Sequence, residues 1–201
     1  LLAGAGLAAA RRRAAIPVLA GAAAVLLFFR DPDRPLDPRP GLVYAPTDGI
    51  VTHVDHPAAA GWLPGGPHLR ISTFLAVHHV HVARSPAAGL LAGWSWIPGR
   101  CRAAARPSAS AGNRQARLAI QAGEDTIGLV LVAGAVARRI SAWAAAGDRL
   151  AAGTRVGIIH FGSRCDTLLP AGRYEPLVRR GARLTGGWTP IARKLPAAGC
   201  P

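Results

Sequence analysis

The segment GIIHFGSRCDTLLP (157–170) places Gly162 and Ser163 directly after an apolar run and just ahead of Arg164 and Asp166. Glycine reaches backbone conformations that other residues resist, and it leaves its carbonyl open to attack. The Ser163 hydroxyl lies one residue from that carbonyl. A strained Gly-Ser bond can undergo an N-to-O acyl shift, giving an ester that breaks more easily than an amide. Taken alone, the pair is also an ordinary strand-end turn. In APTDGIV (45–51), Asp48 stands between a rigid proline and a turn glycine. An aspartate there either serves its own turn or orients a partner in a site. In FLAVHHVHVARSP (74–86), His78, His79 and His81 fall close together. Histidine is the side chain suited to proton transfer near neutral pH. On a strand, His79 and His81 share a face and His78 points away. No HExxH or carboxylate pair accompanies them, so no metal site is expected.

Residues 41–201 must position these groups, and they read as a β-rich domain. Short apolar runs recur between turn signals at 41–45, 49–54, 69–75, 77–82, 118–120, 128–133, 155–161 and 183–192. The segment 134–144 reads as a strand edge or one short helical turn, and 103–110 as a mobile loop. The expected fold class is mainly β: a β-rich α+β sandwich or barrel-like domain, with an N-terminal hydrophobic membrane helix or hairpin.

That N-terminal part is residues 1–29. Two apolar stretches flank the basic break Arg11–Arg13. The second, Ala14–Phe29, spans about 24 Å as a helix, short of a hydrocarbon core of about 30 Å. It fits a short or tilted anchor, or a hairpin dipping into one leaflet. A buried core helix is the plain alternative. Residues 30–40, RDPDRPLDPRP, form a Pro- and Arg-rich linker expected to run extended, with its arginines at headgroup level.

Composition bounds the partners. Half of the 201 residues are apolar, which excludes a disordered chain. The net charge of +14 suits an anionic partner, nucleic acid or bilayer. All basic residues except Lys194 are arginine, a pattern that also follows from GC-rich coding. Nucleic acid is not expected, because no recognition motif or aromatic interleaving is present. Cys101, Cys165 and Cys200 show no disulfide or zinc spacing, so a reducing compartment fits.

Five segments in order give a resemblance: FFRDPDR (28–34), APTDGIV (45–51), FLAVHHVHVARSP (74–86), GAVARRI (134–140) and GIIHFGSRCDTLLP (157–170). GARLTGGWTPIA (181–192) adds a weaker match. The chain resembles the short-type phosphatidylserine decarboxylase proenzymes of bacteria and archaea. The resemblance implies decarboxylation of phosphatidylserine to phosphatidylethanolamine by a pyruvoyl group made from Ser163. Ser163 attacks the Gly162 carbonyl, and the chain is cut into 1–162 and 163–201, which stay associated. It further implies that His81 donates a proton during decarboxylation and that Asp48 assists self-cleavage. Arg164, His79 and Arg84 become candidate substrate-binding residues. The expected setting is the cell membrane, with the catalytic domain on the cytoplasmic face, a phospholipid as substrate and a homo-oligomer compatible with the pattern.

Departures from the family pattern are specific. His79 stands where an Asp is common, Ala83 where an Asn is common, and His160 where an Arg or Lys precedes F-G-S. The long-type second histidine is Arg84 here, as in short-type members. The residues themselves also favour a protein-derived carbonyl. Amine decarboxylation needs an electron sink, and pyridoxal phosphate would need a lysine other than Lys194, which sits in no cofactor motif. Two other readings stand beside this one: a non-enzymatic, membrane-tethered β-sandwich binding domain, and a hydrolase or metal enzyme built on the histidines.

Overall fold

The computed structural model describes residues 2–56, 60–101, 112–135, 139–160 and 163–196, with side chains of the first helix from residue 15 onward. Gly162, Cys200 and the loop expected at 103–110 lie outside the described residues.

The fold is mainly β. The strands are β1 (Leu42–Tyr44), β2 (Gly49–Asp55), β3 (His68–Leu75), β4 (Val82–Arg84), β5 (Gly89–Ile97), β6 (Gln115–Ala122) and β7 (Asp125–Val132). They continue as β8 (Ile140–Ala142), β9 (Arg149–Leu150), β10 (Arg155–Ile159), β11 (Ser163–Pro170), β12 (Tyr174–Pro176), β13 (Arg183–Leu184) and β14 (Pro190–Lys194). An eight-stranded sheet runs in the order β13-β2-β3-β11-β7-β6-β5-β9. Two three-stranded sheets, β1-β14-β12 and β4-β10-β8, complete the domain.

Period-two alternation explains how these layers meet. In β3, β7 and β11 the odd-numbered residues turn inward. Leu75, Leu129, Leu131 and Cys165 pack with Ala83, Ile140, Val156 and Ile159 of the β4-β10-β8 sheet. Leu69, Ile71, Ile127 and Leu169 pack with Val43, Tyr174, Ile191 and Ala192 of the β1-β14-β12 sheet. Both small sheets therefore cover one face of the large sheet. On the opposite face, Val130, Val132 and Leu168 are covered by Leu63, with Trp62 against them.

The N-terminal segment forms one helix, α1 (Leu2–Phe28), rather than a hairpin. Among the described residues no helix is long and apolar enough to cross a membrane, so the expected hydrophobic membrane helix is not supported. The apolar run after the Arg11–Arg13 break, Ala14–Phe29, is by itself too short to span. The end of α1 also belongs to the domain, since Phe28 is 3% exposed.

The segment 77–82 is not one strand. Residues 77–79 turn, and β4 begins only at Val82. The expected run 183–192 is split into β13 and β14 by a turn over 186–188.

Candidate active site

Ser163 opens β11 opposite Leu75, the last residue of β3. Alternation places Ser163 with Cys165 on the face covered by the β4-β10-β8 sheet. It is fully buried, and its Oγ has no hydrogen-bond partner among the described residues. An orphaned hydroxyl in a core is costly unless it has work to do.

Arg164 points to the opposite face. It is 2% exposed, and its Nε and Nη2 donate to the two oxygens of Asp166 at 2.6 and 3.0 Å. Nη2 also donates to Ser72 Oγ at 3.0 Å. The two-pronged pair lies within β11, and the Ser72 contact ties it to β3. It keeps the guanidinium on the other side of the sheet from Ser163.

His81 enters just before β4, and its carbonyl accepts from the Ile159 amide at 3.1 Å. The imidazole is thereby fixed beside the strand that leads to Ser163. Its Nδ1 lies 2.8 Å from the carbonyl oxygen of His79. A carbonyl can only accept, so Nδ1 carries the hydrogen of the neutral ring and Nε2 carries the lone pair. Nε2 is buried without a partner. Burial, reinforced by nearby positive charge, pushes the His81 pKa down to about 4 against the partial opposition of the His79 carbonyl and Asp48. At neutral pH His81 is therefore neutral with the Nε2 lone pair free, and Nε2 must first take a proton before it can donate one. The Phe28 ring lies 4.4 Å from the imidazole, centroid to centroid, and helps keep it dry.

His79 does not share a strand face with His81. Its amide donates to the Ala76 carbonyl at 2.9 Å, and its Nδ1 accepts from the Ala76 amide at 3.0 Å. It closes the turn that delivers Val80 and His81.

Asp48 faces that turn. Arg34 Nη1 and Nη2 donate to Oδ1 and Oδ2 at 2.5 and 3.0 Å. The Gly186 amide donates to Oδ1 at 2.8 Å, and the Val80 amide reaches Oδ2 at 3.4 Å. Burial alone would raise the Asp48 pKa, but the Arg34 contacts and the two amides together hold it below its ordinary value.

Arg84 is 3% exposed, with Nη2 donating to Asp31 at 2.9 Å and to the Pro32 carbonyl at 3.0 Å, and Nη1 donating to the Gly153 carbonyl at 3.2 Å. His160, three residues before Ser163, has Nε2 3.2 Å from Ser141 Oγ. The Phe29 ring stands 5.7 Å from it, edge on.

Asp48, His79, His81 and Arg84 are thus gathered around one stretch of chain, residues 28–34. Sequence reasoning quotes that stretch as a motif, but ends the hydrophobic segment 1–29 with its first two residues and assigns the rest to the linker 30–40 at headgroup level. Instead Phe28 covers His81, Arg30 Nη2 donates to the His78 carbonyl at 2.5 Å, Asp31 holds Arg84, and Arg34 holds Asp48. The only sequence signal was the motif itself, since these partners lie far along the chain.

The family model described as phosphatidylserine decarboxylase matches residues 22–192. The chain belongs to the phosphatidylserine decarboxylase family. A phosphatidylserine decarboxylase proenzyme of Gluconobacter oxydans is 44% identical over 172 residues, 84% of this chain and 76% of the relative. One from Symbiobacterium thermophilum is 42% identical over 181 residues, covering 88% and 82%. One from Ruegeria pomeroyi is 41% identical over 168 residues, covering 82% and 76%. Within this decarboxylase family, His79, Ala83 and His160 keep definite places in the present fold. His79 builds a turn, Ala83 fills the core, and His160 leans on Ser141. Among the described residues no group of histidine, cysteine and carboxylate side chains could hold a metal ion.

Proposed function

We propose that this decarboxylase converts phosphatidylserine to phosphatidylethanolamine with a pyruvoyl group that it makes by cutting itself between Gly162 and Ser163. The observation that carries the reading is the buried, unpartnered Ser163 Oγ, on the sheet face covered by the strands that follow His81. In self-cleavage Ser163 Oγ bonds to the Gly162 carbonyl carbon as the Gly162–Ser163 amide bond breaks, leaving an ester. A base such as His81 Nε2 takes the hydroxyl proton. Elimination across the Ser163 Cα–Cβ bond frees the Gly162 carboxylate. Water then replaces the nitrogen, which leaves as ammonia, and residue 163 ends as the pyruvoyl group.

That group supplies a carbonyl electron sink for the electron pair left when CO2 departs. The chain's own residues do the rest. His81, once protonated, stands ready to return a proton. Arg84 and His79 are the substrate-binding candidates that border the same cluster, whereas Arg164 acts by fixing β11. A lysine-bound cofactor fits poorly, because the Lys194 ammonium lies 2.8 Å from buried Asp125.

The two products, 1–162 and 163–201, stay joined. β11 lies between β3 and β7, β13 pairs with β2, and β14 pairs with β1. We also place the protein on a bilayer surface, on its cytoplasmic side. Val18, Leu19 and Leu26 of α1 are 71%, 67% and 74% exposed, and a lipid boundary would cover them.

Intact mass under denaturing conditions tests the core of the reading. Two fragments for the wild type, the smaller with a blocked, ketone-reactive N-terminus, and one uncut chain for Ser163→Ala are expected. A single full-length mass for both, after incubation with anionic vesicles, sinks it in favour of a binding-only relative.

A further inference from the structure

Arg34 is one of the arginines of residues 30–40 expected at headgroup level, yet its side chain is only 8% exposed. Its two terminal nitrogens grip both oxygens of Asp48, and Nη1 also donates to the Gly186 carbonyl at 2.8 Å. The Gly186 amide returns to Asp48 Oδ1 at 2.8 Å, which closes a ring of hydrogen bonds. Gly186 fits because a Cβ there would stand 2.9 Å from the Thr47 main chain. Arg34 is itself held in place. Its guanidinium carbon lies 5.9 Å from the centroid of the Trp188 ring, and the Trp188 indole N–H donates to the Pro35 carbonyl at 2.9 Å.

The groups facing Asp48 come from several elements. They are Arg34 of the 28–34 stretch, the Val80 amide with His79 and His81 of the turn, Arg84 of β4, and the Gly186 amide after β13. Among the described residues only Arg34 contacts both carboxylate oxygens. A carboxylate gripped this way is fixed in orientation, and Oδ2 is left against the amide of Val80, the residue between His79 and His81 in the chain.

We propose that Arg34 is a positioning residue for self-cleavage: it holds Asp48, as an anion, against the turn that carries His79 and His81. This rests on the self-cleavage reading above, in which Asp48 assists Ser163. Arg34 acts through Asp48 and does not meet the reacting atoms. Lysine would match its charge but not its two-pronged grip.

The test follows cleavage of the full chain after cell-free synthesis with anionic vesicles, across acid to alkaline pH. Wild type, Arg34→Met, Arg34→Lys and Asp48→Asn are compared, with melting curves on a Ser163→Ala background to check folding. In wild type the rate should fall on the acid side as His81, and then Asp48, takes a proton. For Arg34→Met this acid limb should move to higher pH, with the rate recovering as pH rises. Arg34→Lys should move it less. Uniform slowing at every pH, or an unchanged profile in a wild type that does cut, overturns the positioning role. Should Arg34→Met fail to fold, Arg34→Lys decides by the same profile. A wild type that stays whole overturns the self-cleavage reading and this proposal with it, whereas an Asp48→Asn chain cutting at the wild-type rate overturns only the route through Asp48.

Discussion

Two aspartates, Asp48 and Asp125, are tied to the segment after residue 163 from the segment before it, and they are built for different ends. Asp125 is 1% exposed at the side chain, and Oδ2 accepts from the Tyr174 hydroxyl at 2.9 Å and meets Lys194 Nζ at 2.8 Å. Arg173 Nε forms an ion pair with Oδ1 at 2.8 Å, although that oxygen accepts no hydrogen bond. All three partners are side chains on one side of the proposed cut. Asp48 is held by one arginine and two backbone amides and faces imidazoles, one of which has a buried nitrogen without a partner. Side-chain partners that satisfy an anion make a clasp. Backbone and guanidinium donors that hold an anion beside a turn carrying an orphaned imidazole fit the reactive site proposed above.

The largest contrast should appear on substituting each aspartate by its amide. Asp48→Asn should slow self-cleavage by about a hundredfold or more, the range lost with a general acid-base partner, while its melting temperature stays near that of wild type. Time-resolved gels of freshly made chain read the first quantity and calorimetry the second. A sharp fall in melting temperature with normal cleavage would reverse the assignment of the two sites.

Asp125→Asn should do the opposite. Cleavage should proceed, but the Tyr174 hydroxyl loses its charged acceptor, at a cost of about 1–3 kcal/mol. After the cut, that cost appears as easier separation of 1–162 from 163–201 in denaturant. Lys194→Met should show the same trend more weakly, about 1 kcal/mol or less, because the ammonium is partly solvated. Fragments that separate no more easily in either variant would mean that the strand pairings alone hold them together.

The difference between these regions also explains what the sequence could reveal. β2, β3 and β7 are legible because Ile, Val and Leu alternate against one face. β5, GLLAGWSWI, was missed because of that whole strand only Leu91 is fully buried, so it shows no apolar period. β11 was also missed. It is buried on both faces yet opens with Ser163, Arg164, Cys165 and Asp166, and the polar pairs across it cannot be seen in a hydropathy pattern. Ser163, Asp48 and His81 were legible from motifs. Their tether was not, because the Arg34–Asp48 and Asp31–Arg84 contacts join residues with no periodic relation. Density of proline in residues 30–40 correctly forbade regular structure, but says nothing about whether an irregular stretch is solvated or folded over a site. The Arg34 contacts show that it is folded over the site.

A further effect is a slope rather than a step, and it separates the site's two kinds of ionisable group by pH. Buried His81 is neutral in the folded chain, with its pKa pushed from 6.5 down to about 4. The unfolded chain takes up the proton first, so the stability that His81 contributes is fully present above 6.5 and is lost as pH falls to about 4. Asp48 has its pKa held below 3.8, so its contribution persists through that window and is lost only at lower pH. His68, His79 and His160 are shifted downward mainly by burial and add to the His81 slope. On the uncut Ser163→Ala chain, melting temperature should therefore decline as pH falls below neutral, and His81→Asn should flatten part of that decline without altering the drop at lower pH. A His81→Asn chain with the full decline would mean that water reaches this imidazole, and the dry, proton-accepting Nε2 on which the reactive half of the comparison depends would be lost.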